Sequence, residues 1–536
     1  MILCKAIFGK AKTIFDLIDS KEGIIFDLLI ILICIYSFGH SWVESIITTD
    51  NHHWGFMFSQ ALDMKRGLIP HKEFLLSYGY MTTWIQSISL TILGKKIVSI
   101  GIVTGLFYSL NLFLSYRIFL IFLPKYLSTF CTFLIFSLHV FIFDPWPNYY
   151  CYTFQLLSIF LFIRGRKNII YITASGFFLG LSFLARYTSA PAILPPFLIV
   201  LGYELLVQKN SRKIVLKTIA VFGLGFITPI ILFFGFLFDN NAFGDFLIQN
   251  KVLAVLWGFE RLEKDRSIFL SLLSGHADKD KYLFFVVNFL STLLITSYLL
   301  FDSWSRKKRL SRNENIFFLL CLTSLFGYLN SIHIFDVWRL VNGSSIGFGV
   351  IAYYLMTISQ GVKRNIKMMI LLPLISVCFV WASYGILKTS FDHAKLTRYI
   401  VRGGISTSEI SIFQGKIFRS NYYNFHHEIF ESISELSSLH YIINFTQDPV
   451  IMLMNDLRKV QLSSIYLPTL ADEYTDESER IQQVINEKDA VILTSEEFQA
   501  PGYEVIHQKA WDRNWNWYHK KIFVIAPSES RGNKEE

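Results

Sequence analysis

The sequence has little charge and few cysteines for its length, and both shortages exclude classes of protein. Only 17% of its 536 residues are charged, which is below the share typical of soluble proteins. The cysteines have no metal-ligand spacing and lie in or beside apolar segments, where a thiol behaves as a small hydrophobe. No disulfide framework is therefore implied, and the sequence has no internal repeat or low-complexity segment. The six cysteines are Cys4, Cys34, Cys131, Cys151, Cys321 and Cys378.

Long apolar runs are what the sequence has instead. Hydrophobic residues make up 52% of the chain, which contains 51 phenylalanines and has a mean hydropathy of +0.41. The first run, 24–43, is long enough to cross a bilayer and has no small-residue cleavage site. We expect it to be a retained anchor rather than a signal peptide. Together these features predict a polytopic membrane protein surrounded by a lipid bilayer.

The net charge of +9 is explained without a nucleic-acid partner. Basic residues cluster in short segments between apolar runs, which is the positive-inside pattern of cytoplasmic loops. This pattern predicts a multi-pass protein of the cytoplasmic (inner) membrane with its amino terminus in the cytoplasm. The clusters are Arg164–Lys167, Lys209–Lys217, Arg306–Arg312 and Lys363–Lys367.

About eleven segments have the length and apolarity of membrane-spanning helices. A twelfth candidate, Tyr78–Leu93, is shorter and more polar, and counting it would move the basic clusters to opposite sides of the membrane. We therefore predict that it lies along, or dips into, the outer surface. The predicted spans are 24–45, 97–122, 126–143, 149–164, 168–185, 190–207, 214–238, 282–301, 315–332, 340–358 and 367–387.

An odd number of spans places the carboxyl terminus outside and divides the chain in two. Residues 1–387 form a predicted transmembrane domain, whose main outer loops are 46–96 and 239–281. Residues 388–536 are more polar and alternate β-like with helical patterns, which predicts a small extracytoplasmic α/β domain. Its predicted strands are Tyr441–Phe445, Val450–Met454, Ala490–Thr494 and Lys521–Ile525, and its predicted helices are Phe425–Leu439 and Glu477–Asn486.

The main candidate for chemistry is Asp50, in the polar segment Thr48–Gly55 directly after the first span. A carboxylate at this position meets the membrane–water interface, where partial loss of water raises its proton affinity and suits it to act as a base. An enzyme of the outer face has no cytosolic nucleotide sugars, so a sugar would arrive on a lipid phosphate carrier. The alternative is that Asp50 only caps the helix that begins near Asn51.

The order of features after Asp50 resembles the first outer loop of the C-type membrane glycosyltransferases, which include protein O-mannosyltransferases and the lipid A aminoarabinose transferase. In that superfamily an acidic residue is followed by a surface helix ending in glycine, a Pro-aromatic-basic-acidic-Phe stretch and a Tyr-Gly-Pro-like turn. Here the corresponding segments are Phe56–Gly67, Pro70–Phe74 and Tyr78–Tyr80. His71 stands at the aromatic position and Tyr80 replaces the proline. The resemblance implies that Asp50 corresponds to the catalytic acidic residue.

Further residues follow the family's order along the chain. Asp144 lies in the turn before a segment, Pro147–Tyr152, that looks like the start of the family's fourth span. Arg186 lies in a short outer turn, and Asp336 and Arg339 lie in a later one. We predict that Arg186 and Arg339 bind the lipid phosphate, because a guanidinium fork matches phosphate oxygens. Asp144 and Asp336 are predicted to orient these cations or the acceptor sugar. The alternative is that the arginines extend to the interface and that the aspartates cap turns.

The remaining candidates are residues of the first outer loop, 46–96. Lys72 and Glu73 resemble residues that line the donor cavity in relatives, and Lys72 is predicted to assist phosphate binding. His52, His53, Glu73 and Tyr78 are predicted to position donor or acceptor. The alternative for Lys72 and Glu73 is an exposed, solvated pair. Adjacent His52 and His53 point in different directions on a helix.

One interpretation of the two histidines has His53 join Asp50 at a divalent metal, Mg or Mn. The other has one histidine hydrogen-bond locally while the other faces lipid headgroups. Far along the chain, the run 511–517 is rich in tryptophan and is either a sugar-binding patch or a surface packed against the membrane.

The sequence thus predicts a glycosyltransferase that passes a sugar from a polyprenyl-phosphate donor to a cell-envelope glycan, lipid or protein. Asp50 is the predicted base, and single displacement inverts the anomeric carbon. A second hypothesis is a polymerase or ligase that uses lipid-diphosphate-linked oligosaccharides, because Arg261 and Arg266 lie in the outer loop 239–281. A third, a transporter or flippase, is disfavoured because the spans have few central charges and no matching halves.

Overall fold

The part of the chain that the structure describes is mostly helical, and its two sheets lie near the carboxyl end. The computed structural model describes residues 23–140, 144–165, 168–207, 212–254, 279–305, 310–331, 337–358, 364–405, 409–436, 438–464, 475–496, 498–510 and 521–530. The predicted patch at 511–517, Asp336, Arg261 and Arg266 lie outside these described residues.

Each of the eleven predicted spans coincides in sequence with one helix or with two consecutive helices. Within the described residues, five segments are long and apolar enough to cross a membrane, and a helix pair bent by 61° makes six if it is one span. The chain is therefore a multi-pass membrane protein, whereas the number eleven stays a prediction. The helices over the spans are α1 (Gly23–Ile47), α4 (Ile97–Phe119), α5 (Lys125–Leu138), α6 (Pro147–Gly165), α7 (Ile169–Ala185), α8 (Ala190–Ile193) with α9 (Pro195–Val207), α10 (Arg212–Asp239), α12 (Lys279–Ser305), α13 (Arg312–Gly327), the bent pair α14 (Val337–Ser344) and α15 (Gly347–Ile358), and α16 (Arg364–Val401).

Three further helices lie in the segments predicted as outer loops. α2 (Asn51–Lys65) follows α1 after three residues, α3 is Tyr80–Ile92, and α11 is Phe243–Ala254. Most polar residues of α3 are buried, and two of them bond to other segments: Thr82 Oγ1 donates to the Ala185 carbonyl at 2.9 Å and Gln86 Nε2 to the Pro145 carbonyl at 3.0 Å. These bonds tie the first loop to the end of α7 and to the turn before α6.

The carboxyl-terminal part contains a five-stranded mixed sheet. β3 (Tyr441–Asn444), β4 (Arg458–Lys459) and β5 (Ala490–Thr494) pair in parallel, and β6 (Tyr503–Ala510) and β7 (Lys521–Pro527) pair antiparallel, in the order β4-β3-β5-β7-β6. A small antiparallel pair, β1 (Gly404–Ile405) with β2 (Phe418–Arg419), precedes it. The strands predicted near 441, 490 and 521 are present in the sheet. The helices of this part are α17 (Ser420–Ser434), α18 (Pro449–Leu453) and α19 (Thr475–Asn486).

Three predictions for this part need correction. The strand predicted at Val450–Met454 is wrong, because the segment forms helix α18: the Asp448 side chain accepts a hydrogen bond from Val450 N, and Pro449 occupies the first turn, where its missing N–H costs nothing. The helix predicted from Phe425 begins earlier, at Ser420, and ends at Ser434. In addition, α16 continues through position 388 to Val401, so the predicted domain boundary falls inside a helix.

The sheet-containing part packs directly on α2. Apolar side chains of both form one buried cluster, in which Trp54 and Phe58 of α2 are included with Val450 and Phe425. Gly55 permits the closest approach, since a Cβ there would lie 2.6 Å from Val450 Cγ2. The buried Asp63 of α2 forms an ion pair with Lys459. The residues that follow the first span are therefore held between the helical part and the sheet.

Candidate functional site

Asp50 lies where α1 has ended and α2 begins, and it makes two kinds of contact with His53. Its Oδ1 accepts a hydrogen bond from the His53 backbone N–H at 3.1 Å, which caps α2. Its Oδ2 lies 2.7 Å from the imidazole Nδ1 of the same residue. Capping is therefore one role of Asp50, but half of the carboxylate is engaged by a titratable side chain instead.

Asp144 completes a cluster with these two residues. Its Oδ2 lies 3.8 Å from His53 Nδ1, and one ligand atom from each of Asp50, His53 and Asp144 lies within 4.8 Å of the other two. The indole Nε1 of Trp146 donates a 3.0 Å hydrogen bond to Asp144 Oδ2 and fixes this carboxyl. Two carboxylates and an imidazole at such distances are a donor set that suits a divalent cation.

The pKa values of the two carboxyl groups are shifted in opposite directions. Burial raises the pKa of Asp144 to about 7, helped by the charge of Asp50 and opposed by His53. Burial also raises the pKa of Asp50, but the hydrogen bonds and charge of His53 outweigh it and leave the pKa below its usual range. The raised proton affinity that the sequence predicted for Asp50 is thus found at Asp144. A pair of carboxyl groups in which one is ionised and the other has a pKa near 7 is typical of acid–base sites.

Aromatic rings border the cluster on one side. Trp146 makes edge contacts with His53 and Tyr78, each at a centroid distance of 5.0 Å, and stacks on Trp338 at 5.8 Å with the planes only 3° apart. Tyr78 in turn contacts Phe56 of α2 at 6.4 Å. These rings give the cluster an apolar aromatic wall on one side.

The two predicted phosphate-binding arginines lie on either side of these rings. Arg186, only 6% exposed, follows α7, and its neighbour Tyr187 donates from its backbone N–H to the Tyr78 carbonyl at 3.3 Å. Its Nη1 is buried without a hydrogen-bond partner among the described residues. Arg339, 8% exposed, lies over the ring of Trp338 at 4.8 Å. A buried guanidinium with an unsatisfied N–H is costly unless an anion meets it.

The other predicted site residues have different positions. Lys72 Nζ donates to the Asn240 carbonyl at 2.9 Å, and the Glu73 carboxylate accepts from Ile69 N at 2.6 Å. Both contacts belong to the turn that faces the next outer segment, and neither joins the Asp50 cluster. His52 Nδ1 lies 3.1 Å from the Gln447 carbonyl oxygen, and the His52 ring stacks over Phe56 and meets the His53 ring edge-on at a centroid distance of 5.0 Å.

A buried polar network that the sequence analysis missed lies behind Asp50. Asn51 Nδ2 donates to Asp448 Oδ2 at 2.7 Å and lies 2.8 Å from His426 Nε2. The hydroxyl of Tyr422 donates to Asn51 Oδ1 in a short hydrogen bond. The signal available was Asp448-Pro449 after a predicted strand, because such loops at the carboxyl ends of parallel strands often carry functional side chains. This signal was missed because the residues that follow, Val450–Met454, were predicted to form a strand.

The fold and the cluster together define a multi-pass membrane protein with a polar, aromatic-lined site at the end of its first long apolar helix. No protein-family model and no curated protein sequence matches the chain.

Among solved structures, it is similar to the oligosaccharyltransferase of Archaeoglobus fulgidus in the apo form, with 10% identity over 89% of this chain and 70% of that chain and a TM-score of 0.49. It is also similar to ArnT from Cupriavidus metallidurans bound to undecaprenyl phosphate, with 10% identity over 96% of this chain and 100% of that chain and a TM-score of 0.48. Both are C-type glycosyltransferases, the superfamily that the first outer loop resembles.

Proposed function

We propose that the protein transfers a sugar from a polyprenyl-phosphate donor to a glycan, lipid or protein acceptor of the cell envelope at the outer face of the membrane. The observation that carries this proposal is the cluster of Asp50, His53 and Asp144 at the end of a membrane helix, with two buried arginines beside it. A base, a place for a sugar ring and cations for a leaving phosphate are the groups that such a transfer needs.

In the proposed reaction Asp50 is the base. His53 holds the carboxylate ionised and oriented through its backbone N–H and its ring. Asp50 takes the proton of the acceptor hydroxyl while that oxygen attacks the anomeric carbon, and the bond from this carbon to the phosphate oxygen breaks. The single displacement inverts the anomeric configuration. Arg186 and Arg339 stabilise the negative charge that accumulates on the departing lipid phosphate.

The proposal is tested by transfer of a labelled sugar to an envelope extract by the purified full-length protein. Synthetic polyprenyl-phosphate sugars form one arm and polyprenyl-diphosphate oligosaccharides the other. We expect transfer from the monophosphate donor with inverted configuration of the product. Transfer only from the diphosphate donor would favour the polymerase or ligase hypothesis instead. No transfer from either donor by a folded protein would contradict the proposal.

A divalent metal, Mg or Mn, is a further part of the proposal. Asp50, His53 and Asp144 fit such an ion because their ligand atoms already converge within 4.8 Å and combine oxygen with imidazole donors. A bound cation would supply positive charge beside the donor phosphate and reduce repulsion between the two carboxylates. With a cation bound, Asp50 Oδ1 would still accept the hydrogen bond from the His53 backbone N–H, and the charge of the cation would keep the carboxylate ionised in place of the His53 ring.

Asp144→Asn is expected to weaken Mn²⁺ binding by about tenfold or more, because one charged ligand is lost. The measurement is titration of the detergent-purified protein with Mn²⁺, followed by the electron paramagnetic resonance of the free ion. Asp456→Asn is the matched control, since it makes the same change at an exposed aspartate of the sheet-containing part, outside the cluster. Equal Mn²⁺ affinity in wild type and Asp144→Asn would contradict the metal site.

Arg186→Gln is expected to lower kcat/KM for the lipid-phosphate donor by about 10- to 100-fold, because a charge-assisted hydrogen bond contributes about 1.5–3 kcal/mol. Arg186→Lys should recover part of the loss, since lysine keeps the charge without the fork. The control is Arg66→Gln, which removes an exposed arginine of the first outer loop. Unchanged kinetics in Arg186→Gln would mean that this arginine only extends towards the interface.

A further inference from the structure

A groove lined by basic side chains lies away from the Asp50 cluster, where the end of α16 meets the start of α17. Its volume is about 1030 Å³, and no carboxylate is among its described lining residues. Four of the lining residues are cations: Lys395, Arg398, Arg402 and Arg419. The others are Tyr399, Gly403, Ser420 and Asn421.

The four cations are uncompensated. Among the described residues none of them forms an ion pair, and Arg419 is instead held over the Tyr399 ring at 3.5 Å. Like charges that face one groove repel each other, so the arrangement is stabilised when an anion enters. Arginine forks are suited to phosphate oxygens in particular.

Backbone groups strengthen the same preference. α17 has 15 residues, and its N-cap residue, Arg419, makes no side-chain capping bond. Ser420 and Asn421, the first residues of this helix, line the groove. Although the Tyr422 N–H already bonds to Asn421 Oδ1, the partial positive charge of the helix N-terminus adds to the four side-chain charges.

The surface around the groove has the character of a membrane interface. α16 continues from the predicted span 367–387 without a break, and exposed apolar side chains alternate with the cations along it. Leu387 is 69% exposed, Phe391 71% and Leu396 44%. In the predicted topology this is the outer side, where the positive-inside rule gives no reason for basic residues to collect. Apolar and basic groups together fit a lipid with an anionic headgroup.

We propose that this groove binds the phosphate group of an anionic membrane lipid. The lipid chains lie along the exposed apolar side chains of α16. The phosphate is held by Arg398 and Arg402 at the end of α16 and by Arg419 at the start of α17. α17 also carries Tyr422, which bonds Asn51 beside Asp50, so a lipid in the groove steadies the helix that supports the catalytic cluster.

The experiment uses the full-length protein purified in a neutral detergent. Lipid affinity is measured from the rise in unfolding temperature as phosphatidylglycerol, phosphatidylcholine or inorganic phosphate is added. The double variant Arg398→Gln/Arg402→Gln removes two groove cations. Its matched control, Lys388→Gln/Arg66→Gln, removes two exposed cations that do not line the groove.

We expect phosphatidylglycerol alone to stabilise the wild type and the control. Its affinity should fall about fivefold for each groove arginine removed. Equal stabilisation by phosphatidylcholine, or equal phosphatidylglycerol affinity in the groove variant, would overturn the proposal. Stabilisation by inorganic phosphate as strong as that by phosphatidylglycerol would assign the groove to a soluble anion and overturn its assignment to a lipid. The readout needs no transferase activity and is therefore independent of the proposed function.

Discussion

Asp50→Asn is expected to reduce the rate of sugar transfer by about 100- to 10,000-fold, the range that a general base contributes. Asparagine is as good an N-cap as aspartate, so Oδ1 can still accept the His53 N–H and α2 should keep its start. The amide has no charge and cannot take the proton of an acceptor hydroxyl. The measurement is the single-turnover transfer rate at saturating polyprenyl-phosphate donor.

This substitution separates the capping role of Asp50 from the roles that need the charge of its carboxylate, because only capping survives it. If capping were the whole role, transfer would stay near the wild-type rate. Asp456→Asn is the matched control, since Asp456 is an exposed aspartate of the sheet-containing part. Its transfer rate and the unfolding temperatures of both variants should stay close to those of the wild type. A fast Asp50→Asn protein would assign the base to Asp144, the carboxyl with the higher pKa.

The helices and the position of Asp50 follow from local pattern. An apolar run of about 20 residues needs no distant partner to be recognised, because a helix is the way for its backbone to cross a bilayer with every polar group satisfied. Each predicted span therefore coincides with a helix. The cap at Asp50 is also local, since the bond from His53 N spans one turn. Local chemistry of this kind can be predicted from the sequence.

The composition of the site depends on tertiary packing and could be predicted only in part. Asp144 was expected to lie in a turn and to orient a cation or the acceptor, but its approach to His53 requires the turn before α6 to meet the start of α2. The prediction of a raised pKa for Asp50 was wrong for the same reason. Burial could be anticipated from the nearby membrane, whereas the opposing contacts with His53 depend on its rotamer.

The contact between the first loop and the sheet was beyond the reach of the sequence. Asn51 and Asp448 are 397 residues apart in the chain but share a 2.7 Å hydrogen bond. Nothing in either segment alone indicates the other, and the sequence predicted only a separate extracytoplasmic domain for the second one. The packing of Gly55 against Pro449 and Val450 makes the sheet-containing part a wall of the site.

Asp448→Ala is accordingly expected to have the second large effect, although this residue does not touch the cluster. The change removes the cap of α18 and leaves Asn51 Nδ2 with one partner fewer in a buried position. Together these losses should lower the free energy of unfolding by about 2–4 kcal/mol. They should also release the start of α2, and a displacement near 1 Å at a base costs about 100-fold in rate. The measurements are unfolding temperature and the transfer rate at saturating donor.

A positioning role predicts a specific split between kinetic constants. In Asp448→Ala kcat should fall while KM for the donor changes little, because Arg186 and the aromatic rings lie on other segments. Asp456→Ala, an exposed aspartate of the same part, should change neither quantity. If Asp448→Ala lost stability but kept its kcat under conditions where it is folded, the sheet would be only a support for the fold. A fall in kcat at unchanged KM would instead mean that the active site is completed by the carboxyl-terminal part.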